Sequence, residues 1–341
     1  MGNRIAVLGT GAIGSSIAAD LVQAGHDVLL IDQWPAHVEA MRSDGLRIEL
    51  PDETIHVRVD AHHLCDIAAL NPIFDTVFLA PKAYDTRWSC EFIKPYLADD
   101  GLVVGLQNAM TAEIIASVVG ASRTLGCVVE LSAEIFTPGL VKRNTPPSRT
   151  WFGIGSFDPS SDRHVEDFAA LLGSVGKVSM SSDILSAKWM KLVLNAMCLG
   201  PVSMTGMTIY EAVRTPAIRE LLLTIGTEAL SAGQSLGYRI EPIFGLRAED
   251  LAGTNQLLEK LLDKVSGDIG PAARDCVLQD HLKGRQSEVD FINGLVVEKR
   301  ALLGQGAPAN AAIVEITRRI RAGELALDPA NVELATALAT H

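Results

Sequence analysis

Between residues 4 and 131 the chain alternates two hydrophobic periods. Short and nearly continuous apolar runs occur at RIAVLG (4–9), HDVLLID (26–32), DTVFLAP (75–81), GLVVGLQ (101–107) and TLGCVVEL (124–131). Strands of a parallel sheet, buried on both faces, read this way. Between them AIGSSIAADLVQAG (12–25) and DTRWSCEFIKPYL (85–97) repeat apolar residues at helical spacing. Strand–helix alternation predicts an α/β fold, a Rossmann-type doubly wound parallel sheet with right-handed crossovers. GLVKRN (139–144) and RTWFGIG (149–155), separated by Pro146 and Pro147, predict an antiparallel addition at the sheet edge.

After about residue 181 the period becomes helical, over 183–198, 211–236, 248–265, 287–303 and 308–322. The pattern predicts a dinucleotide-binding Rossmann domain over 1–181, an all-helical substrate domain over 182–341, and a cleft between them. The boundary falls near SMSSD (179–183).

The first strand runs directly into GTGAIG, a G-x-G-x-x-G turn made by Gly9, Gly11 and Gly14 that opens a helix. The first glycine makes the turn, the second lets backbone approach a pyrophosphate, and the third lets helix and strand pack closely. The helix N-terminus attracts the anion. Ala12 and Ile13 complete the turn and are assigned with the glycines to cofactor binding. Asp32 ends the second strand, 18 positions beyond Gly14, where a carboxylate can accept from the adenosine ribose hydroxyls. It should repel a 2′-phosphate, which favours NAD over NADP.

SAKWMKLVLNAM (186–197) is apolar nearly all round, yet Lys191 and Asn195 share one of its faces. An ammonium in an apolar setting must be paired, open to a cleft, or shifted toward neutrality. In the last case it is a good general acid. Lys188 is the competing lysine and is expected to be the solvated one. SEVDFING (287–294) sets Glu288 at helical spacing from Phe291, Ile292 and Leu295, again a charge on an apolar side, with Asp290 pointing elsewhere. A lysine and a carboxylate together would supply a proton donor and hold it in place.

Composition narrows the partners. A formal charge of −12 over 341 residues argues against nucleic acid, which needs a basic face. Five scattered cysteines form no C-x-x-C pair, and the N-terminus has a strand pattern where a signal peptide would need a long apolar core. The longest uncharged stretch, Leu192 to Tyr210, is broken by Asn195, Gly200, Pro201 and Gly206, a poor membrane span. A cytoplasmic protein is expected, with no membrane association and no metal. His62, His63 and His164 read as ordinary surface histidines.

GTGAIG, PKAYD (81–85), LQNAM (106–110), KWMKLVLN (188–195) and LQDHLKGRQSEVDFING (278–294) occur in the order found in ketopantoate reductases, which the chain resembles over nearly its whole length. The resemblance implies a Rossmann domain followed by a helical one, and reduction of 2-dehydropantoate to D-pantoate with a nicotinamide cofactor. It implies Lys191 as general acid on the ketone oxygen and Glu288 as an essential carboxylate. It also implies Asn108 near nicotinamide and substrate, Asn195 on the substrate's polar groups, Lys82 near the cofactor, and often a homodimer.

Four positions depart from the family pattern. Ala109 stands where the family usually has glycine, and Cys276 where a serine hydroxyl usually contacts substrate. A thiol is a far weaker donor. Leu199 and Gly200 lie where a second asparagine is common, and Asp32 runs against the usual NADPH preference. Together they suggest a different, bulkier or more apolar 2-oxo acid, 2-hydroxy acid or ketone. Two other readings stay open. One is a β-hydroxyacid dehydrogenase, which shares a Lys-x-x-x-Asn helix but normally has a Gly-rich turn before it and lacks SEVDFING. The other is an NADH-sensing protein without turnover.

Overall fold

The computed structural model describes residues 4–246 and 256–340. The chain folds as two compact units: residues up to Gln107 with Thr111–Leu185, and Asn108–Met110 with the residues from Ser186 onward.

In chain order the first unit contains β1 (Arg4–Leu8), α1 (Ala12–Gln23), β2 (Asp27–Asp32), α2 (Pro35–Asp44), β3 (Leu46–Glu49), β4 (Thr54–Val57), β5 (Asp60–His63) and α3 (Asp66–Leu70). It continues with β6 (Phe74–Leu79), α4 (Thr86–Ile93), β7 (Leu97–Gly105), α5 (Ala112–Val119), β8 (Thr124–Glu130), β9 (Ala133–Thr137), β10 (Leu140–Arg143), β11 (Trp151–Ser156), α6 (Val165–Leu172) and β12 (Lys177–Met180). The main sheet has the order β12-β11-β8-β7-β6-β1-β2-β5, parallel from β5 through to β8. The apolar runs are continuous because both faces are covered: Ile5 and Val7 join the core on one side, Ala6 and Leu8 the core on the other. The chain leaves β1 toward β2 and later returns to its other flank as β6, so the end of β1 is a topological switch point, where α/β sheets bind ligands.

The expected edge addition is only half right. β11 is antiparallel to β8, but β12 lies outside it as the edge strand. β10 instead belongs to a second sheet of order β4-β3-β10-β9. These strands are short and mix buried with exposed positions, alternating in Leu46–Glu49, so they carry no continuous apolar run to mark them. Arg143 on β10 is fully buried, with Nη1 2.6 Å from Asp20 Oδ2 on α1, Nε 2.8 Å from the Thr145 carbonyl and Nη2 2.9 Å from Thr150 Oγ1. That ion pair ties the small sheet to the helix that follows the glycine turn.

The second unit contains α7 (Ile184–Cys198), α8 (Gly200–Ser203), α9 (Ile209–Val213), α10 (Pro216–Ser235), α11 (Leu257–Asp268), α12 (Cys276–Leu282), α13 (Val289–Leu302), α14 (Pro308–Arg321) and α15 (Asn331–Thr340). The helix expected over 211–236 is two, α9 with a Thr208/Glu211 capping box and α10 restarted by Pro216. Of the span expected as helical over 248–265, residues 248–255 lie outside the described residues. Gly226 and Gly233 let α10 pack on α7, since a Cβ there would stand 2.3 Å from Met197 Sδ and 2.0 Å from Trp189 Nε1. Asn293 Nδ2 on α13 donates to the Ala196 carbonyl at 3.0 Å and to Asn310 Oδ1 at 2.9 Å. Glu228 on α10 accepts the Ala309 and Asn310 backbone N–H groups at the start of α14. These bonds fix α7, α10, α13 and α14 to one another. Among the described residues no helix is long and apolar enough to cross a membrane.

Ala109 is buried with φ 65°, a left-handed conformation that strains any residue with a Cβ. Two stability outcomes follow. Ala109→Gly should raise stability by about 1 kcal/mol in denaturant unfolding; a loss would mean that the buried methyl outweighs the strain. Arg143→Ala should cost about 3–5 kcal/mol by stranding Asp20, whereas an unchanged midpoint would show that the pair holds nothing together.

Candidate active site

At the switch point the glycine turn is dictated sterically at two of its three glycines. Gly9 has φ 91°, and a Cβ there would lie 2.5 Å from Pro81 N; at Gly14 it would lie 2.1 Å from the Gly9 carbonyl oxygen. Gly11 is different: it has no positive φ, and a Cβ would meet nothing within 4 Å. Among the described residues nothing requires glycine there, and the backbone at the start of α1 is left open. Ala12 and Ile13 form the first turn of α1 behind it.

Thr10, between the first two glycines, is buried and locked. Its N–H and hydroxyl donate to Asp32 Oδ2 at 2.5 and 3.0 Å, and its carbonyl accepts from Ser15 Oγ at 2.6 Å. Asp32 Oδ1 accepts the Trp34 N–H at 2.8 Å. Three of about four lone-pair sites of the Asp32 carboxylate are thus used within the protein. The nearest arginine of the following helix, Arg42, is committed to the Ala61 carbonyl, Glu39 and Asp66. Lys82, half-buried, follows Pro81 beside the turn, and its carbonyl receives Gln107 Nε2 at 3.5 Å.

In the helical unit α7 carries the two polar residues the sequence singled out. Asn195 is 8 % exposed, and its Nδ2 donates to Asn108 Oδ1 at 3.1 Å. Asn108 Nδ2 in turn donates to Cys276 Sγ at 3.6 Å, a weak bond to sulfur. Asn108, Asn195 and Cys276 are therefore brought together as one hydrogen-bonded chain. Lys191 is half-buried one turn before Asn195. The expectation for Lys188 is corrected: it is the more buried of the two, 4 % exposed. Three positions apart, the two lysines point only about 60° from one another round a helix, so spacing alone could not rank them. Glu288 is 3 % exposed and stands at the N-cap of α13 rather than inside it. The buried stripe of α13 is accordingly Val289, Ile292, Asn293 and Val296, with Asp290 exposed.

Sequence reasoning missed Asp275. Its Oδ1 accepts from Ser203 Oγ at 2.8 Å and from the Val277 and Leu278 N–H groups, so it caps α12 and seats Cys276 on the first turn. Among the described residues its buried Oδ2 has no hydrogen-bond partner. Burial lifts this carboxyl to about 6, against the pull of those three donors. An Asp just before the apolar start of CVLQ was the available signal, an N-cap pattern. His62 and His63 are also corrected: both lie on β5 with carboxylate partners, His62 to Asp60 at 2.7 Å and His63 to Glu39 at 2.6 Å. Alternate residues of a strand share a face, which puts Asp60 beside His62.

Residues 5–156 match the family Ketopantoate reductase PanE/ApbA, and residues 183–321 match Ketopantoate reductase PanE/ApbA C terminal. A 2-dehydropantoate 2-reductase from Mesorhizobium japonicum is 29 % identical, covering 93 % of this chain and 97 % of its own. A PanE/ApbA family ketopantoate reductase from Ralstonia eutropha JMP134 superposes with a TM-score of 0.79 at 25 % identity, covering 94 % and 99 % of the two chains. The fold is also that of D-mandelate dehydrogenase with NADH and anilino(oxo)acetate, at TM-score 0.82, 20 % identity and 94 % and 99 % coverage. With both units matched in order, the chain belongs to the ketopantoate reductase family of NAD(P)-dependent oxidoreductases.

Proposed function

We propose that the protein reduces the keto group of a small 2-oxo acid to a hydroxyl with NADH, Lys191 giving the proton. The observation that carries this reading is a half-buried lysine on an otherwise buried helix, one turn from an amide tied to Asn108 and Cys276. A bound nicotinamide supplies the hydride. As the carbonyl carbon accepts it, the C=O π pair moves onto oxygen, and an Nζ proton of Lys191 goes to that oxygen. The amine left behind regains a proton from solvent. Glu288, buried at the N-cap of α13, is the essential carboxylate of the proposed site. Asn195 orients the substrate's polar groups while Asn108 holds it in place, and Gly9, Gly11 and Gly14 with Lys82 serve the cofactor.

Two observations support a substrate more apolar than 2-dehydropantoate. The Cys276 thiol replaces a hydroxyl with a weak donor, and the buried Ala109 methyl adds bulk beside Asn108. D-mandelate dehydrogenase, which shares the fold, was captured with anilino(oxo)acetate, so the fold is compatible with such a ligand. A sensor without turnover would have no use for Lys191 and Glu288 together.

The preference for NADH is supported by the Asp32 charge at the ribose end and by Arg42 being engaged with Glu39 and Asp66. Steady-state assays with both cofactors should give NADH a kcat/KM advantage of about tenfold or more, about 1.4 kcal/mol. Asp32→Asn, which keeps an acceptor for Thr10, should narrow it. A wild-type preference for NADPH contradicts the role of Asp32. For the acid, Lys191→Ala should lower kcat by about 10²–10⁴-fold across a panel of 2-oxo acids while NADH affinity is retained. Loss of NADH binding in that variant would mean that Lys191 serves the cofactor instead.

A further inference from the structure

We propose that His37 is a positioning residue of the dinucleotide site: its neutral Nε2–H tautomer pins the Thr10 carbonyl and holds the glycine turn in the form that takes up the cofactor. The inference rests on the reading of that turn as a dinucleotide site.

His37 lies in the first turn of α2 and is fully buried. Its Nδ1 accepts the Gly139 N–H at 2.9 Å, so that nitrogen cannot also carry a proton. The ring proton is therefore on Nε2, which lies 2.9 Å from the Thr10 carbonyl oxygen and 3.3 Å from Ser15 Oγ. Neither partner can move away cheaply. Gly139, in the turn between β9 and β10, has φ 74°, and a Cβ there would stand 3.0 Å from Ala40 Cβ on α2. Thr10 is held from its other side by Asp32. The ring also stacks on Trp34, with centroids 5.4 Å apart.

With its carbonyl, N–H and hydroxyl all engaged, Thr10 leaves the turn no alternative arrangement, and the backbone at Gly11 is presented already formed. Protonation of the imidazole would set an Nδ1–H against the Gly139 N–H, donor against donor. Among the described residues the charged group facing the ring is Asp32 on β2, which favours the protonated ring; the groups from α1, the glycine turn and the β9–β10 turn are uncharged. Burial outweighs Asp32 and holds the imidazole below its ordinary range. The ring is therefore neutral at and above neutral pH, and the arrangement fails only as pH falls well below about 6.5.

The test is NADH affinity by fluorescence titration from pH 8 to pH 5 on the full chain, for wild type, His37→Asn and His37→Gln. Wild-type affinity should be flat down to about pH 6.5 and weaken only well below it, toward pH 5, with KM for NADH rising and kcat at saturation nearly constant. Glutamine places a donor where Nε2 stands, so His37→Gln should bind like wild type at pH 8 and lose the acid dependence. Asparagine can satisfy Gly139 but does not reach Thr10, and His37→Asn should bind weakly at every pH. A flat wild-type profile, a glutamine variant as acid-sensitive as wild type, or undiminished binding by a folded asparagine variant each overturns the inference. Absence of binding of both NADH and NADPH by wild type at any pH overturns the dinucleotide reading as well, which distinguishes the two failures.

Discussion

A helix buried over most of its length must satisfy the polar groups it carries, and on α7 Asn195 does so through its amide, which donates to Asn108 at 3.1 Å. Residues 108–110 belong to the helical unit although the residues flanking them in sequence belong to the other. Asn108 then passes the bond to Cys276, and Asp275 fixes Cys276 by capping α12. A left-handed turn at Ala109 is accepted in the same short segment. Asn195 of α7 is thus anchored by bonds whose other ends lie on distant parts of the chain.

Hydrogen-bond satisfaction governs the glycine turn as well. Thr10 is the residue that a pyrophosphate-binding hexad leaves open to any side chain, and here its hydroxyl and backbone consume most of the Asp32 carboxylate. The acidic residue at the end of β2 therefore ties the turn to that strand through its hydrogen bonds. The buried pair Arg143–Asp20 ties α1 from its far face. A rigid turn on a rigid helix lowers the ordering cost of binding.

What could be read from the sequence follows from how each element buries its residues. β1, β2, β6, β7 and β8 are covered on both faces and announce themselves as apolar runs; β3, β4, β9 and β10 are short and two-faced and do not. Gly9, Gly14, Asp32, Lys191, Asn195 and Glu288 stood out because a residue type conflicted with its surroundings. His37 did not stand out, although His37, Val38 and Met41 form the buried stripe of α2, because its partners Thr10 and Gly139 are remote in sequence. Asp275 escaped for the same reason, its bond to Ser203 spanning 72 positions. The ranking of Lys188 and Lys191 was beyond any periodicity, since both face nearly the same way.

The chemistry assigned to α7 comes down to one distance, from Lys191 Nζ to the oxygen that changes between ketone and alcohol. A crystal structure with NAD⁺ and the 2-hydroxy acid formed by turnover measures it directly. The expected value is within hydrogen-bond reach, about 2.6–3.2 Å, with the Asn195 amide still tied to Asn108. An Nζ turned away into solvent while the ligand is in place would contradict the assignment of Lys191 as the acid.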